Sequence, residues 1–305
     1  MKKLHLAILF LVIVIGACAK AAPADEWTTP VPEQKDEQNT YLSASQTSAS
    51  MEMLPTPTPA PTEDLRLLPE VWQTWPVVPD VSATAVKIYQ EGRKIGKNPK
   101  AFSKVGDCQN LHAYFLGRFD HLDIYKFDWP IVDYLDTIEN FHGYFDTDGQ
   151  STKFGFTAAS PLSPLMADPE VCLPDEAPLE CELRITNPSF VLISLEFPFN
   201  GRSADLYEQY LRQIIEYTIS QGAVPILATK ADNVEKDHSI NLTIAKLAYE
   251  YDVPLWNFWA AAQPLGNHGI DPYRDGFHIS QQAWEERSKT FLMVLDHLWK
   301  GLKDS

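Results

Sequence analysis

Along the later part of the chain, short and nearly continuous apolar runs alternate with longer segments whose apolar residues recur every three or four positions. Residues 101–106, 189–195, Val224–Ala228 and 253–256 read as strands, the second through the run Phe-Val-Leu-Ile-Ser-Leu bounded by Asn187-Pro188 and Pro198. Helices are predicted over Ala83–Lys94, 131–145, Ala204–Ser220, 240–249 and Gln281–Leu302. In Ala204–Ser220 the positions Leu206, Tyr210, Ile214 and Tyr217 mark one face, and Gly222 supplies the stop. Strands that are apolar throughout are buried on both faces, so this alternation implies a parallel sheet covered by helices. In such sheets sites form beyond the carboxyl ends of the strands.

The N-terminal part follows a different pattern. Lys2 and Lys3 precede an apolar run over 6–17, too short to span a bilayer of about 20 helical residues, and the run ends in Gly16-Ala17-Cys18. Small residues directly before a cysteine resemble the bacterial lipobox. That resemblance implies that Cys18 carries the lipid and becomes the mature N-terminus, anchoring the protein on the extracytoplasmic face of a membrane. Residues 19–80 are expected to form a tether rich in Pro, Thr and Ser, with alternating Pro-Thr over 55–62 favouring extended polyproline. Within this stretch Trp72, Trp75 and the prolines of 69–79 could equally lie on the folded part. Residues 81–305 then make one domain, enough chain for a single sizeable core.

Charge and cysteine content narrow the function. The formal charge is −16, and loss of Lys2 and Lys3 with the signal makes it −18. Without a compensating Lys/Arg cluster, a nucleic-acid partner is excluded as an expectation. Apart from Cys18, Cys172 and Cys181 bracket the turn-rich Leu-Pro-Asp-Glu-Ala-Pro-Leu-Glu and are expected to form a disulfide in an oxidising compartment. Cys108 is then an unbridged thiol, either buried and inert or reactive.

Cys108 lies in Gly106-Asp107-Cys108-Gln109-Asn110, directly after the first predicted strand, and Asp275-Gly276-Phe277-His278 precedes the last predicted helix. In these two blocks the chain resembles the SGNH/GDSL hydrolase superfamily, with Cys108 where the family carries its nucleophilic serine. The resemblance covers roughly residues 100–300. It implies a three-layer α/β/α sandwich with a mostly parallel, flavodoxin-like sheet, and a Cys108-His278-Asp275 site. Asp275 would hold one ring nitrogen of His278 while the other faces Cys108. A helix following Cys108 would present its N-terminus to the thiolate. The amide of Cys108, with Gly155 in Phe-Gly-Phe-Thr and Asn200 in Phe-Pro-Phe-Asn-Gly, would stabilise an oxyanion. The family's Gly-x-Asn-Asp turn is absent, and losing one such donor costs about 2.7–4 kcal/mol of transition-state stabilisation.

Other groupings carry less. His268, Asp271, Asp275 and His278 match no familiar ligand spacing, so no metal or other cofactor is expected. Trp256 and Trp259 could stack a sugar ring but are better placed as core, and His112, His121 and His142 have no partner at useful spacing. Two function classes follow. One is a membrane-anchored, monomeric esterase or acyltransferase acting on a small-molecule or carbohydrate ester, such as acyl groups on extracellular polysaccharide. The other is a catalytically inactive binding or scaffold lipoprotein of the same fold.

The anchor is directly testable. The mature protein should enter the detergent phase on phase separation and incorporate labelled palmitate, and Cys18→Ala should end both. Detergent partitioning that survives Cys18→Ala would exclude lipidation at this residue.

Overall fold

The computed structural model describes Asp64, residues 66–195 and residues 203–305. The expected signal, Cys18, most of the tether and Asn200 lie outside the described residues. Strands β1 (Asn98–Gly106), β2 (Pro188–Ser194), β3 (Val224–Ala228) and β4 (Leu255–Trp256) form one sheet in the order β1-β2-β3-β4. Each neighbouring pair is parallel. Helices α1 (Ala83–Lys94), α2 (Leu135–Asn140), α3 (Pro178–Thr186), α4 (Ala204–Ser220), α5 (Ser239–Tyr251), α6 (Phe258–Ala262) and α7 (Gln281–Leu302) flank it. No helix among the described residues is long and apolar enough to cross a membrane.

Every residue of β2 and β3 is buried, as expected of central parallel strands. Phe102 of β1 packs against Phe141, Phe145 and Phe291, which joins the sheet to the segment after α2 and to α7. Helix starts are set by side chains: the Ser82 hydroxyl accepts from the Ala85 amide, and Ser280 does the same for Ala283. Gly92 of α1 and Gly222 meet backbone to backbone, and a Cβ at Gly92 would overlap the Gly222 carbonyl.

The structure corrects several expectations. The tether does not run to residue 80. Trp72 is 4% exposed, and the Asn257 side chain donates to the carbonyls of Trp72 (2.9 Å) and Trp75 (3.0 Å), so residues 69–80 belong to the folded part. The segment bracketed by the two cysteines is only partly a loop, because Pro178 opens α3 and places Cys181 on it. The expected helix over 131–145 reduces to a 3-10 turn at Ile131–Tyr134 and the short α2. The strand over 253–256 shortens to two residues, since Pro254 has no amide to donate to a ladder. Trp256 is fully buried, so it serves the core rather than a sugar.

Cys172 and Cys181 are bonded, with Cα atoms 5.3 Å apart and nine residues of separation. Closing so short a loop restricts the unfolded chain by about 2–3 kcal/mol in the chain-entropy account. Cys172→Ser with Cys181→Ser should lower the unfolding free energy by that amount in denaturant titration. Thiol counting on the denatured, unreduced mature domain should find Cys108 alone.

A second expectation concerns Lys104 on β1. Its side chain is 2% exposed, its ammonium has no hydrogen-bond partner among the described residues, and the closest carboxylate, Asp148, stands 3.9 Å away. Burial lowers its pKa to about 8, against the upward pull of Asp148 and Glu182. The unfolded chain therefore binds the proton more tightly than the fold. The resulting penalty is full below pH 8 and lifts as pH rises toward 10.5. Stability should accordingly gain on the order of 3 kcal/mol across that window. Lys104→Met should abolish this rise when both proteins are titrated with denaturant at pH 7.5 and 10.

Candidate active site

At the carboxyl edge of the sheet the register sets Gly106 beside Ser194. Beyond Gly106 the chain turns sharply. The buried Asp107 carboxylate accepts from the Gln109 amide at 2.9 Å, and the Asp107 carbonyl accepts from the Asn110 amide at 3.0 Å. The Asn110 side chain folds back over the strand end and donates to the Ser194 carbonyl at 2.8 Å. A Cβ on Gly106 would overlap that side-chain amide, which is the physical reason for glycine here. Cys108 opens this turn, 7% exposed and outside any disulfide. The helix expected after it is a single 3-10 turn, Cys108–Asn110.

The second block is held as a closed loop. Ile270 and Ile279 form an antiparallel bridge, the Asp271 amide donates to the His278 carbonyl (2.9 Å), and the Ser280 amide donates to the Gly269 carbonyl (2.8 Å). One Asp275 oxygen accepts from the amides of Phe277 (3.1 Å) and His278 (3.0 Å), and the carboxylate takes His278 Nδ1 at 2.8 Å. Burial raises the Asp275 pKa, but these two amides and the imidazole outweigh it and hold the carboxyl at about 2. It is therefore ionised throughout the neutral range. A carboxylate against Nδ1 assigns the ring proton there and leaves Nε2 as an acceptor. That Nε2 lies 3.8 Å from Cys108 Sγ, across 170 residues of sequence.

The structure thus brings Cys108, His278 and Asp275 together. Gly155 lies at the same edge. Thr152 bridges Gly106, the Lys153 amide donates to the Gly106 carbonyl (3.3 Å), and Gly155 follows in a turn at φ +77° that disfavours a side chain. Asn200 is outside the described residues.

Some features escaped the sequence reading. Gln109, Asn110 and Ser194 brace the turn, and the fully buried Arg287 donates to the Gln109 carbonyl (3.4 Å), Asn110 Oδ1 (3.0 Å) and Ser194 Oγ (2.9 Å). The signal was present: Arg287 sits one helical turn from each of Ala283 and Phe291, on the apolar stripe of α7. The histidines read as partnerless are corrected too. His112 pairs with Asp148 (2.9 Å), His121 with Asp146 (2.7 Å) and His142 with Asp120 (3.1 Å), contacts that only the fold brings about. His268 Nδ1 donates to the Gln263 carbonyl (3.2 Å) in an exposed turn.

No protein-family model and no curated protein matches this chain. Among solved structures it is similar to the psychrotrophic esterase EstA from Pseudoalteromonas sp., at 12% identity and a TM-score of 0.45, over 68% of this chain and all of that one. It is also similar to a GDSL-like lipase from Bacteroides thetaiotaomicron, at 15% identity and a TM-score of 0.42, over 70% of this chain and 98% of that one. An acetyl xylan esterase, AlAXEase, matches at 15% identity and a TM-score of 0.42, over 63% of this chain and 97% of that one. Among the described residues the sheet is all-parallel, in the order β1-β2-β3-β4, and flanked by helices, the mixed α/β architecture expected from the sequence.

Proposed function

We propose that this protein is an extracytoplasmic ester hydrolase, tethered to the membrane through Cys18, that uses Cys108 as nucleophile, His278 as general base and Asp275 to orient it. The observation that carries the reading is the unbroken path from the Asp275 carboxylate through Nδ1 and Nε2 of His278 to Cys108 Sγ. Its polarity suits proton removal from sulfur.

In the reaction, Sγ attacks the acyl carbonyl carbon and its proton passes to His278 Nε2. The tetrahedral oxyanion collapses to a thioester, and the departing alkoxide takes the proton from His278. Water then attacks the thioester with His278 as base, which releases the carboxylic acid and restores the thiol. Asp275 stays ionised throughout and stabilises the imidazolium formed in each half. Gly155 is the second candidate oxyanion donor beside the Cys108 amide. The substrate class that suits an exported, anchored domain is an acyl ester on a small molecule or an extracellular carbohydrate.

Incubation of the described domain with p-nitrophenyl acetate tests this. Cys108→Ala should abolish turnover, and His278→Ala should lower it by about 10²–10⁴-fold, the usual worth of a positioned general base. Iodoacetamide should alkylate Cys108 in the folded protein at pH 7, and His278→Ala should slow that reaction. A Cys108 that alkylates only after unfolding, with no ester turnover, would identify a buried structural thiol and favour the binding-module alternative.

A further inference from the structure

Among the described residues the Arg287 side chain is the largest charged group that is fully buried. Its guanidinium carbon lies 4.6 Å, 5.0 Å and 5.1 Å from the ring centroids of Phe115, Trp256 and Phe258. The planar fork reaches the nucleophile turn. There it donates to the Gln109 carbonyl and to Asn110 Oδ1, and to Ser194 Oγ on the last residue of β2. The helix that carries Arg287 starts at Gln281, three residues after His278. A second strut runs the other way: Gln109 Nε2 donates to the Phe277 carbonyl at 3.4 Å, in the loop that holds His278.

We propose that Arg287 is a positioning residue that sets the approach of Cys108 to His278. The inference rests on the Cys-His pairing proposed above. Cys108 and His278 sit on separate connections, and Cys108 Sγ lies 3.8 Å from His278 Nε2. A contact that weak does not hold two loops in register. The rigid connection is α7, fixed to the His278 loop through the backbone and to the Cys108 turn through the Arg287 fork. Burying a charge for stability alone is a poor use of a core position, because a hydrophobic residue of similar volume often serves as well or better. What an apolar residue cannot do is grip a carbonyl and a side-chain oxygen of one turn with fixed geometry, and lysine lacks the planar fork.

The test compares wild type, His278→Ala, Arg287→Met, Arg287→Lys and Ser194→Ala. Three quantities are read on each: the Cys108 alkylation rate by iodoacetamide at pH 7, kcat and KM for p-nitrophenyl acetate, and the unfolding midpoint. Arg287→Met should bring alkylation close to the His278→Ala rate and lower kcat at least tenfold, with KM changed less than threefold. Arg287→Lys should remain impaired although it keeps the charge. Ser194→Ala, which removes one acceptor of the fork, should show the same direction in milder form and decides the matter should the Arg287 variants fail to fold. Variants with wild-type alkylation and kcat and only a lowered unfolding midpoint would overturn the proposal and leave Arg287 a packing residue. If His278→Ala itself leaves alkylation unchanged, the Cys-His pairing fails and the positioning role falls with it. The two failures are therefore distinguishable.

Discussion

The functional edge of this fold depends on one close approach, that of the Asn110 side chain to the backbone at Gly106. Parallel strands end with carbonyls that have no further ladder partner. At the end of β2 the Ser194 carbonyl receives the Asn110 amide instead, and the same amide group offers its oxygen to Arg287. This is possible because Gly106 has no Cβ and the chain can fold back over its own strand. The turn that results carries Cys108. It also ties two adjacent strand ends to α7, so the turn that carries Cys108 is held by buried hydrogen bonds.

The sequence made the elements legible where local and tertiary demands coincide. The boundaries of Ala204–Ser220 and Gln281–Leu302 could be read directly, because each has a serine to cap its start and a long apolar stripe to hold it on the sheet. Where tertiary contacts override, the reading failed. Over 131–145 the apolar residues suggested a helix, but Phe141 and Phe145 both reach Phe102 from outside regular helix, and Gly143 at φ +89° breaks the path between them. The cysteine-bracketed segment looked like turn because Pro and acidic residues dominate it. Yet Pro178 at a first helical position is compatible with a helix, since the amide it lacks would have had no partner there.

The site was legible in part. Residues whose chemistry defines them, Cys108, His278 and Asp275, could be picked out by type and order. The residues that hold them could not be paired, although Arg287 stands out on the apolar stripe of α7, since Ser194 and Arg287 are separated by 93 positions and their bond exists only in the fold. The histidine–aspartate pairs at 112, 121 and 142 were invisible for the same reason. Spacing along a chain reports partners within one element, and these pairs cross between loops.

The replacement of a helix N-terminus by a single 3-10 turn changes how a thiolate could be supported here. A helix of several turns would add the aligned dipoles of its first peptides to the field at Cys108. One turn supplies little of that, and its Gln109 and Asn110 amides are already given to Asp107. The His278 ring that faces the sulfur is backed by the Asp275 carboxylate, which is ionised at neutral pH. A cysteine can operate under this arrangement with less help than a serine, because its thiol loses its proton far more readily than a hydroxyl does.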